Sequence, residues 1–420
     1  MKKLVVSCLL LMSVFMLAAT DFTYTGLLKT RAALFNTLAP SEEGETINYI
    51  DSKLAVEMTF STSDALKAVW KIQVGSRNPR YIDYVEWGNS DQGGGIDTRG
   101  INLQTVDAYL DYKCPVTKSE WKVGLQWWGD DHSLVWDDDF AAIMMNKQVW
   151  NTNLEMGYAK LVEGHDWEED DTADTDSDLY LVNFTTKLFN MQNLFRFTER
   201  DAIDTPRVNR FEMWMMPNLV ATLNELSVDI MGAYYYSSEK SGHTNSGWAF
   251  SAKGTLDIKP KFGFDVLMTS GINANDTKKT NEFRTISEWY MNGLTIFGRG
   301  SSHEHACVGW GDFGVYNRGQ GIMSLVGTVE VPVSTKTTVT GAMGNVTAMT
   351  KKFIGEDGDV HQTKGTEMGF EVNVASKTAL TPELTLSVQG AYGIPGDYFK
   401  FGNEDLDNLY QLNGYIQYSF

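Results

Sequence analysis

The C-terminal end of the chain, residues 410–420, alternates between apolar and polar side chains, with Tyr415 as the exception. The apolar face carries Tyr410, Leu412, Ile416, Tyr418 and Phe420. The opposite face carries Gln411, Asn413, Gln417 and Ser419. A period of two predicts a β-strand, because successive side chains of a strand point to opposite faces. A soluble protein rarely ends on its most apolar face, whereas a strand whose outer face meets lipid can do so.

The same alternation recurs along the chain, with an apolar face opposite a polar and often charged one. It is found in residues 54–60, 66–72, 106–112, 248–256, 262–268 and 384–392. Aromatic residues cluster near the predicted strand ends, as at Phe22 and Tyr24, at Trp127 and Trp128, and in residues 234–236. Such clusters are typical of the interfacial girdles of transmembrane β-barrels. After the N-terminus no apolar run reaches the length of about 18 residues that a transmembrane helix needs.

The predicted connections between these strands alternate between short and long. Short connections are predicted at residues 61–64, 114–118, 190–193, 224–225, 259–260, 334–336 and 378–382. Long connections are predicted at residues 36–46, 76–100, 129–138, 163–178, 198–208, 237–246, 271–321, 350–365 and 395–407. The alternation requires a strand at residues 140–145, a turn near residues 150–155, and one strand at residues 209–223 despite Pro217.

Short turns on one side of the membrane and long loops on the other are the pattern of an outer-membrane barrel. We therefore predict an all-β fold: a transmembrane antiparallel up-and-down β-barrel of about 18 strands, with about 16 as the alternative. An even number of strands places both termini in the periplasm. Hydrogen-bonded closure is what lets such a sheet span lipid, since an open edge would leave backbone groups unsatisfied.

Two segments resemble known families. The ending, with its terminal Phe420 and the aromatic Tyr418 two residues earlier, resembles the C-terminal assembly signal of outer-membrane proteins. Residues 123–140 look like a hairpin of porins and of alginate-export-type barrels. The resemblance implies the outer membrane of a Gram-negative bacterium, with its lipid, its lipopolysaccharide and its barrel assembly machinery as partners. At the level of the whole chain the resemblance is one of architecture, and it carries over no substrate residue.

The N-terminus is typical of a secretory signal peptide. Lys2 and Lys3 form the charged start, residues 4–17 the apolar core, and residues 18–20 a cleavage region of small side chains. We predict a signal peptide at residues 1–19 and a single barrel domain at residues 20–420. Cys114 and Cys307 are far apart and lie in different kinds of connection, so we expect no structural disulfide.

Charge is the most informative property of the predicted inner face. The formal net charge of −19 excludes a nucleic-acid partner. By strand parity the inward basic residues are Lys29, Arg31, Lys53, Lys67, Lys71, Lys122, Arg196 and Arg210. The inward acidic residues are Glu57, Asp107, Asp111, Glu212, Asp229, Asp257, Asp265, Glu330 and Glu371. One hypothesis is a basic wall opposite an acidic wall, whose transverse field would favour polar and dipolar solutes. The other is that these charges pair with neighbouring strands and keep the lumen wet.

Catalytic and metal sites are weakly indicated. All six histidines fall in predicted connections, and none has a serine partner in a recognisable strand motif, so we expect no enzyme. His303, His305 and Cys307 could form a metal cluster, but their spacing is unlike a structural zinc site and a polar loop is the simpler interpretation. Residues 163–178 are strongly acidic without completing a calcium loop, and a solvated loop is again the simpler interpretation. We expect no metal and no cofactor.

These observations predict a porin, a water-filled channel for the passive diffusion of small hydrophilic solutes and ions. A substrate-specific channel for organic acids or oligosaccharides and a structural or adhesive surface barrel are the alternatives. The connection at residues 271–321 is long enough to fold inward, and within it residues 286–297 could be an ordered constriction or an extra hairpin. A homotrimer is one assembly that the sequence leaves open.

Overall fold

A computed structural model describes residues 21–36, 46–76, 85–86, 101–162, 174–201, 209–273, 279–298, 314–354, 360–400 and 406–420. The predicted signal peptide lies outside these residues. Within them, no helix is both long and apolar enough to cross a membrane.

Long antiparallel strands make up most of the described residues. The first nine are β1 Asp21–Asn36, β2 Thr46–Ser63, β3 Leu66–Ser76, β4 Ile101–Lys113, β5 Glu120–Gly129, β6 Asp137–Val149, β7 Thr152–Val162, β8 Asp174–Thr185 and β9 Phe189–Asp201. The second nine are β10 Arg210–Leu223, β11 Leu226–Glu239, β12 Thr244–Leu256, β13 Lys261–Thr269, β14 Ile322–Pro332, β15 Thr337–Ala348, β16 Glu367–Ala379, β17 Leu384–Pro395 and β18 Leu409–Ser419.

Four short strands lie in the long connections: Val85–Glu86, Lys279–Thr280, Lys352–Ile354 and Val360–Gln362. Val85–Glu86 pairs with β2, and Lys279–Thr280 pairs with β12 in the parallel sense. The last two pair with each other as a small ribbon. None of the four contributes a strand to the barrel wall.

The long strands form one closed sheet. Each pairs antiparallel with the next, and β18 pairs back onto β1 from Leu27 opposite Ser419 to Phe35 opposite Gln411. The prediction of an all-β barrel of 18 strands is confirmed, and the alternative of about 16 strands is wrong. A closed ladder satisfies the backbone groups of every wall strand, which is the condition for crossing lipid.

Short turns and longer connections alternate around the barrel as predicted. The strand expected at residues 140–145 lies within β6, and Pro217 lies inside β10, where it faces Met191 of β9 in register. The turn expected at residues 190–193 is wrong. It is formed by residues 186–188, where the Thr186 N–H donates to the Phe189 carbonyl and the Phe189 N–H donates to the Thr186 hydroxyl. This leaves Asn190 and Gln192 on the inner face of β9.

The two faces of the wall have the opposite polarity to those of a soluble barrel. On β17, Leu386 is 40% exposed and Val388 is 44% exposed, whereas Ser387 and Gln389 beside them are buried. The same inversion holds on β18, where Leu412 and Ile416 are exposed and Gln411 and Asn413 are buried. An apolar outer face on a closed sheet is a surface built for lipid.

The interior is filled over much of its volume. Among the described residues, two connections supply much of this filling: residues 130–136 between β5 and β6, which we call the inner loop, and residues 282–298 between β13 and β14, which we call the inner segment. Leu134, Val135, Leu294 and Ile296 have no exposed surface. They belong to one apolar cluster with wall residues such as Trp214. These two elements define the candidate site.

Candidate functional site

The inner loop is closed on itself by one carboxylate. Asp130 accepts backbone N–H bonds from His132 at 3.2 Å, Leu134 at 2.8 Å, Val135 at 2.7 Å and Trp136 at 2.9 Å. Asp130 is only 5% exposed. A carboxylate that satisfies several buried amides fixes a loop firmly, because each amide would otherwise lose a hydrogen bond away from water.

The inner loop also reaches distant strands. The Asp131 carboxylate accepts hydrogen bonds from the side-chain amides of Asn190 on β9 at 2.6 Å and Asn218 on β10 at 2.7 Å. The backbone N–H of Asp131 donates to Gln192 at 3.1 Å. Since the loop starts between β5 and β6, these contacts show that it crosses the lumen.

The inner segment is held by a second buried carboxylate. Glu371 on β16, with no exposed surface, accepts backbone N–H bonds from Thr295 at 2.6 Å, Ile296 at 2.8 Å and Phe297 at 3.0 Å. Asn373, two residues along β16, donates to the Gly293 carbonyl at 3.0 Å and to Glu371 at 2.9 Å. The C-terminal half of the segment is therefore tied to β16.

The other half of the inner segment binds the inner loop. The N–H of Ile286 donates to the Val135 carbonyl at 2.9 Å, and the N–H of Trp289 donates to the Ser133 carbonyl at 3.0 Å. Two carboxylate-anchored elements thus meet inside the barrel and form one constriction. The structure places residues 286–297 in this ordered, inward position, and the described part of the segment contains no extra hairpin.

The predicted charged residues that lie within strands all fall on the inner face of the wall. Asp257 differs, because it follows the last residue of β12 and lies exposed in the short turn. The basic residues concentrate on β1 to β5, where Lys71 is 36% exposed and lies 3.6 Å from Asp107, and Lys122 lies over the Tyr109 ring at 5.1 Å. Arg31 also points inward, but unlike Lys71 it is buried, in a two-bond ion pair with Asp51 in which both N–O distances are 2.7 Å.

We call the inner face of β1 to β5 the charged stripe. It carries Lys29, Lys53, Glu57, Lys67, Lys71, Asp107, Asp111 and Lys122. Register places Lys71 between Glu57 and Asp107, and places Asp111 between Lys67 and Lys122. Charges of opposite sign are therefore neighbours along both of these rows.

Later in the chain the predicted acidic residues serve the constriction. Besides Glu371, Asp265 accepts from the Tyr290 hydroxyl of the inner segment at 2.6 Å, and Asp229 lies 3.0 Å from the His132 ring of the inner loop. Glu330 is exposed near the short-turn end of β14. The ion pairs between neighbouring strands are those expected from local pairing: Arg31–Asp51, Lys71–Asp107, Arg196–Glu212, Arg210–Glu239 and Lys253–Asp265. A transverse field stays a prediction.

His132 lies in the predicted connection between β5 and β6, and the structure adds that it is only 3% exposed inside the barrel. It contacts both Asp229 and Ser251, the residue types of a serine-hydrolase triad. Ser251 has no exposed surface and also contacts Tyr290 at 3.0 Å, so a substrate carbonyl has no access to its oxygen. The sequence carried no signal for this contact, because the partners lie on separate strands.

Among the described residues, no group of three or more potential ligands could hold a metal ion. Residues 303–307 and 163–173, which include the candidate histidine cluster and most of the acidic segment, lie outside the described part of the chain. Cys114 is a free thiol in the turn between β4 and β5. Hydrogen bonds from Thr117 lower the pKa of this thiol to about 7.

Comparison with known proteins supports the fold. No protein-family model matches the chain, and no curated protein matches its sequence. Acinetobacter baumannii OccAB4 shares 9% identity with a TM-score of 0.55, covering 96% of this chain and 98% of that chain. Pseudomonas aeruginosa OccK8 (OprE) shares 9% identity with a TM-score of 0.53, covering 96% and 99%. The outer membrane protein opdK of Pseudomonas aeruginosa shares 9% identity with a TM-score of 0.52, covering 96% and 99%.

At this identity the likeness is one of fold. This likeness agrees with the closed sheet and the apolar outer face described above. The chain therefore has the fold of a Gram-negative outer-membrane β-barrel. The outer membrane is the location that this fold indicates.

Proposed function

We propose that the protein is a porin, a channel through which small hydrophilic solutes and ions diffuse passively across the outer membrane. The observation that carries this proposal is the charged stripe. Its side chains point into the barrel, and several of them, including Lys71 and Lys122, keep exposed surface there.

Burial of unpaired charges in a dry interior is costly, so partly exposed inward charges indicate a water-filled space along β1 to β5. A barrel of 18 strands is wide enough to hold such a space together with inserted elements. The inner loop and inner segment narrow the lumen from the side of the later strands, and the passage runs along the charged stripe.

A specific channel for organic acids or oligosaccharides is a second candidate. It is favoured by the lysines at positions 29, 53, 67, 71 and 122, which could guide an anion along one side of the passage. The acidic neighbours of these lysines support weak selectivity instead, because opposite charges at close spacing partly cancel.

Single-channel conductance of the refolded mature protein in a planar bilayer, under a salt gradient, tests the porin proposal. Large steady steps are the expected result. A folded barrel that gives no steps would contradict it and favour a structural or adhesive role. Flux of neutral sugars against organic acids in liposomes separates the two kinds of channel, since a strong preference for the acids would support the specific channel.

The partners follow from the same proposal. Lipid and lipopolysaccharide would cover the apolar outer face, and Tyr418 and Phe420 would form the signal read by the barrel assembly machinery. Both rings are exposed on the outer side of β18, stacked at 5.7 Å. Cross-linking of the assembly machinery to a Phe420→Ala precursor, compared with a Leu386→Ala precursor, tests this role. Chemical cross-linking in the native membrane tests the homotrimer.

A further inference from the structure

Five side chains form a continuous chain of polar contacts across the constriction, which we call the latch. His132 of the inner loop lies 3.0 Å from Asp229 on β11 through Nε2 and 2.7 Å from Ser251 on β12 through Nδ1. The Ser251 hydroxyl lies 3.0 Å from the Tyr290 hydroxyl of the inner segment. Tyr290 donates to Asp265 on β13 at 2.6 Å. The latch therefore joins both inner elements to three adjacent wall strands.

The latch is shielded from water for most of its length. His132, Tyr290 and Asp265 are buried, and Ser251 has no exposed surface at all. In such a place two facing polar atoms need a proton between them, because neither can turn to water and two lone pairs repel. The number of protons in the latch is therefore a structural constraint.

With a neutral imidazole and both carboxyl groups ionised, the latch is one proton short. Four contacts need four protons, while Ser251, Tyr290 and neutral His132 supply one each. If the proton is on Nδ1, it serves Ser251, and the bare Nε2 faces the Asp229 carboxylate. If it is on Nε2, Ser251 must donate to His132. The Tyr290 proton already goes to Asp265, so the contact between Ser251 and Tyr290 then has none.

One added proton, placed for example on the His132 ring, satisfies every contact. Nδ1–H donates to Ser251, Ser251 donates to Tyr290, and Tyr290 donates to Asp265. The positive ring then faces Asp229, an attraction that does not need the linear alignment that this pair lacks. The surrounding charges favour this form. Asp229 and Asp265 lie on the wall, and Asp130 and Asp131 lie on the loop itself. These four carboxylates outnumber the cation Lys253, whose Nζ is 4.0 Å from Asp265 and 4.5 Å from the centre of the Tyr290 ring.

We propose that the docked constriction takes up one proton from solvent and holds it within the latch, so that acid stabilises the narrowed channel and alkali loosens it. This inference rests on the proposed pore. The docked state binds the extra proton and the loosened state releases it. Docking is therefore fully favoured at low pH, and the ratio of docked to loosened channels falls by up to about tenfold per pH unit as the proton is lost.

Single-channel recording of the mature barrel between about pH 5 and pH 9, the range that brackets histidine titration, is the first test. We expect the open-channel conductance and its fluctuations to rise with pH with a slope of one proton. His132→Gln, which cannot take the charge, should abolish this dependence. His243→Gln, in the exposed connection between β11 and β12, is the matched control and should keep it.

Tyr290→Phe is the sharper variant. Without the hydroxyl, two contacts of His132 remain, and neutral His132 with Ser251 supplies the two protons that they need. The latch should then stay docked while its pH dependence is lost. A pH slope that survives in either His132→Gln or Tyr290→Phe would overturn the proposal.

Amide hydrogen exchange of residues 132–136 and 286–298, corrected for the intrinsic pH dependence of exchange, provides a readout that needs no conductance. Protection of both peptides should fall as pH rises in the wild-type protein and stay constant in Tyr290→Phe. If the wild-type barrel conducts no ions, the porin proposal fails, while this exchange experiment still decides the latch.

Discussion

The inner face of the wall has two regions that use charge differently. On β1 to β5, acidic and basic side chains are neighbours in the rows of Lys71 and Asp111, and several of the lysines stay partly exposed, as Lys71 does beside Asp107. On β13 and β16, Asp265 and Glu371 are buried and accept hydrogen bonds from the inner segment. The same residue type keeps a passage wet in one region and anchors a constriction in the other. Strand parity places both sets inward, and only the atoms that face them set their roles.

The largest expected effect is that of Glu371→Gln on the anchoring of the inner segment. The new amide group cannot accept from all three N–H groups of residues 295–297, so the inner segment loses anchoring free energy of about 3 kcal/mol, or about a hundredfold in its docking equilibrium. We expect a larger and noisier single-channel conductance. Glu330→Gln, on the same face but exposed, should conduct like the wild type. Equal conductance of the two variants would show that Glu371 does not anchor the constriction.

The next largest effect is expected for Asp130→Asn, and it should be confined to the inner loop. The substitution weakens the four N–H bonds that close the inner loop, at a cost of about 2 kcal/mol. Faster amide exchange of residues 132–136 is the expected result, with little change in residues 293–297. Asp257→Asn, at the exposed turn, serves as the control. Unchanged exchange in Asp130→Asn would mean that contacts with the wall hold the loop.

Lys71→Glu tests the charged stripe. In a water-filled passage this charge reversal should shift the free energy of an anion relative to that of a cation by about 1 kcal/mol, so the anion-to-cation permeability ratio should fall by about fivefold. The reversal potential under a salt gradient measures this ratio. Lys187→Glu, in the exposed turn between β8 and β9, is the control. A ratio that does not move would place the ion path away from β1 to β5.

A substitution beside Cys114 should have the smallest functional effect. Labelling of the Cys114 thiol reports on which side of the membrane the short turns lie. In a Cys307→Ser background, maleimide labelling should accelerate up to about pH 7 and then level off, because the thiolate reacts and the thiol pKa is lowered to about 7. Thr117→Val removes the side-chain hydrogen bond, the largest of several that lower this pKa, and should slow labelling at neutral pH by about twofold. Conductance should be unchanged. Labelling of intact cells by an impermeant reagent would contradict the periplasmic position of this turn.

The barrel itself follows from the sequence because its signals are local. Alternation of period two fixes which side chains face lipid, and the order of short and long connections fixes the number of strands. Even the strand through Pro217 could be predicted in this way. The turn at residues 186–188 was misplaced because Asn190 and Gln192, typical turn residues by composition, are used on the inner face.

The constriction could be predicted only in part. The length of the connection after β13 indicated an inward fold, and the aromatic residues around Tyr290 indicated an ordered one. The contacts that fix it join residues far apart in sequence, such as Glu371 with Thr295 and His132 with Ser251. Parity states that Glu371 points inward, but it carries no information on what fills the space in front of it.

The closing seam has a consequence for how the barrel can assemble. The N–H of Phe420 donates to the Gly26 carbonyl at 3.0 Å, and the N–H of Gly26 donates to the Phe420 carbonyl at 2.7 Å. These bonds extend the pairing of β1 with β18, two strands that lie far apart in the sequence. The cylinder therefore cannot close until β18 is present, and a fragment without β18 would leave β1 as an open edge, which is a template for pairing with other chains.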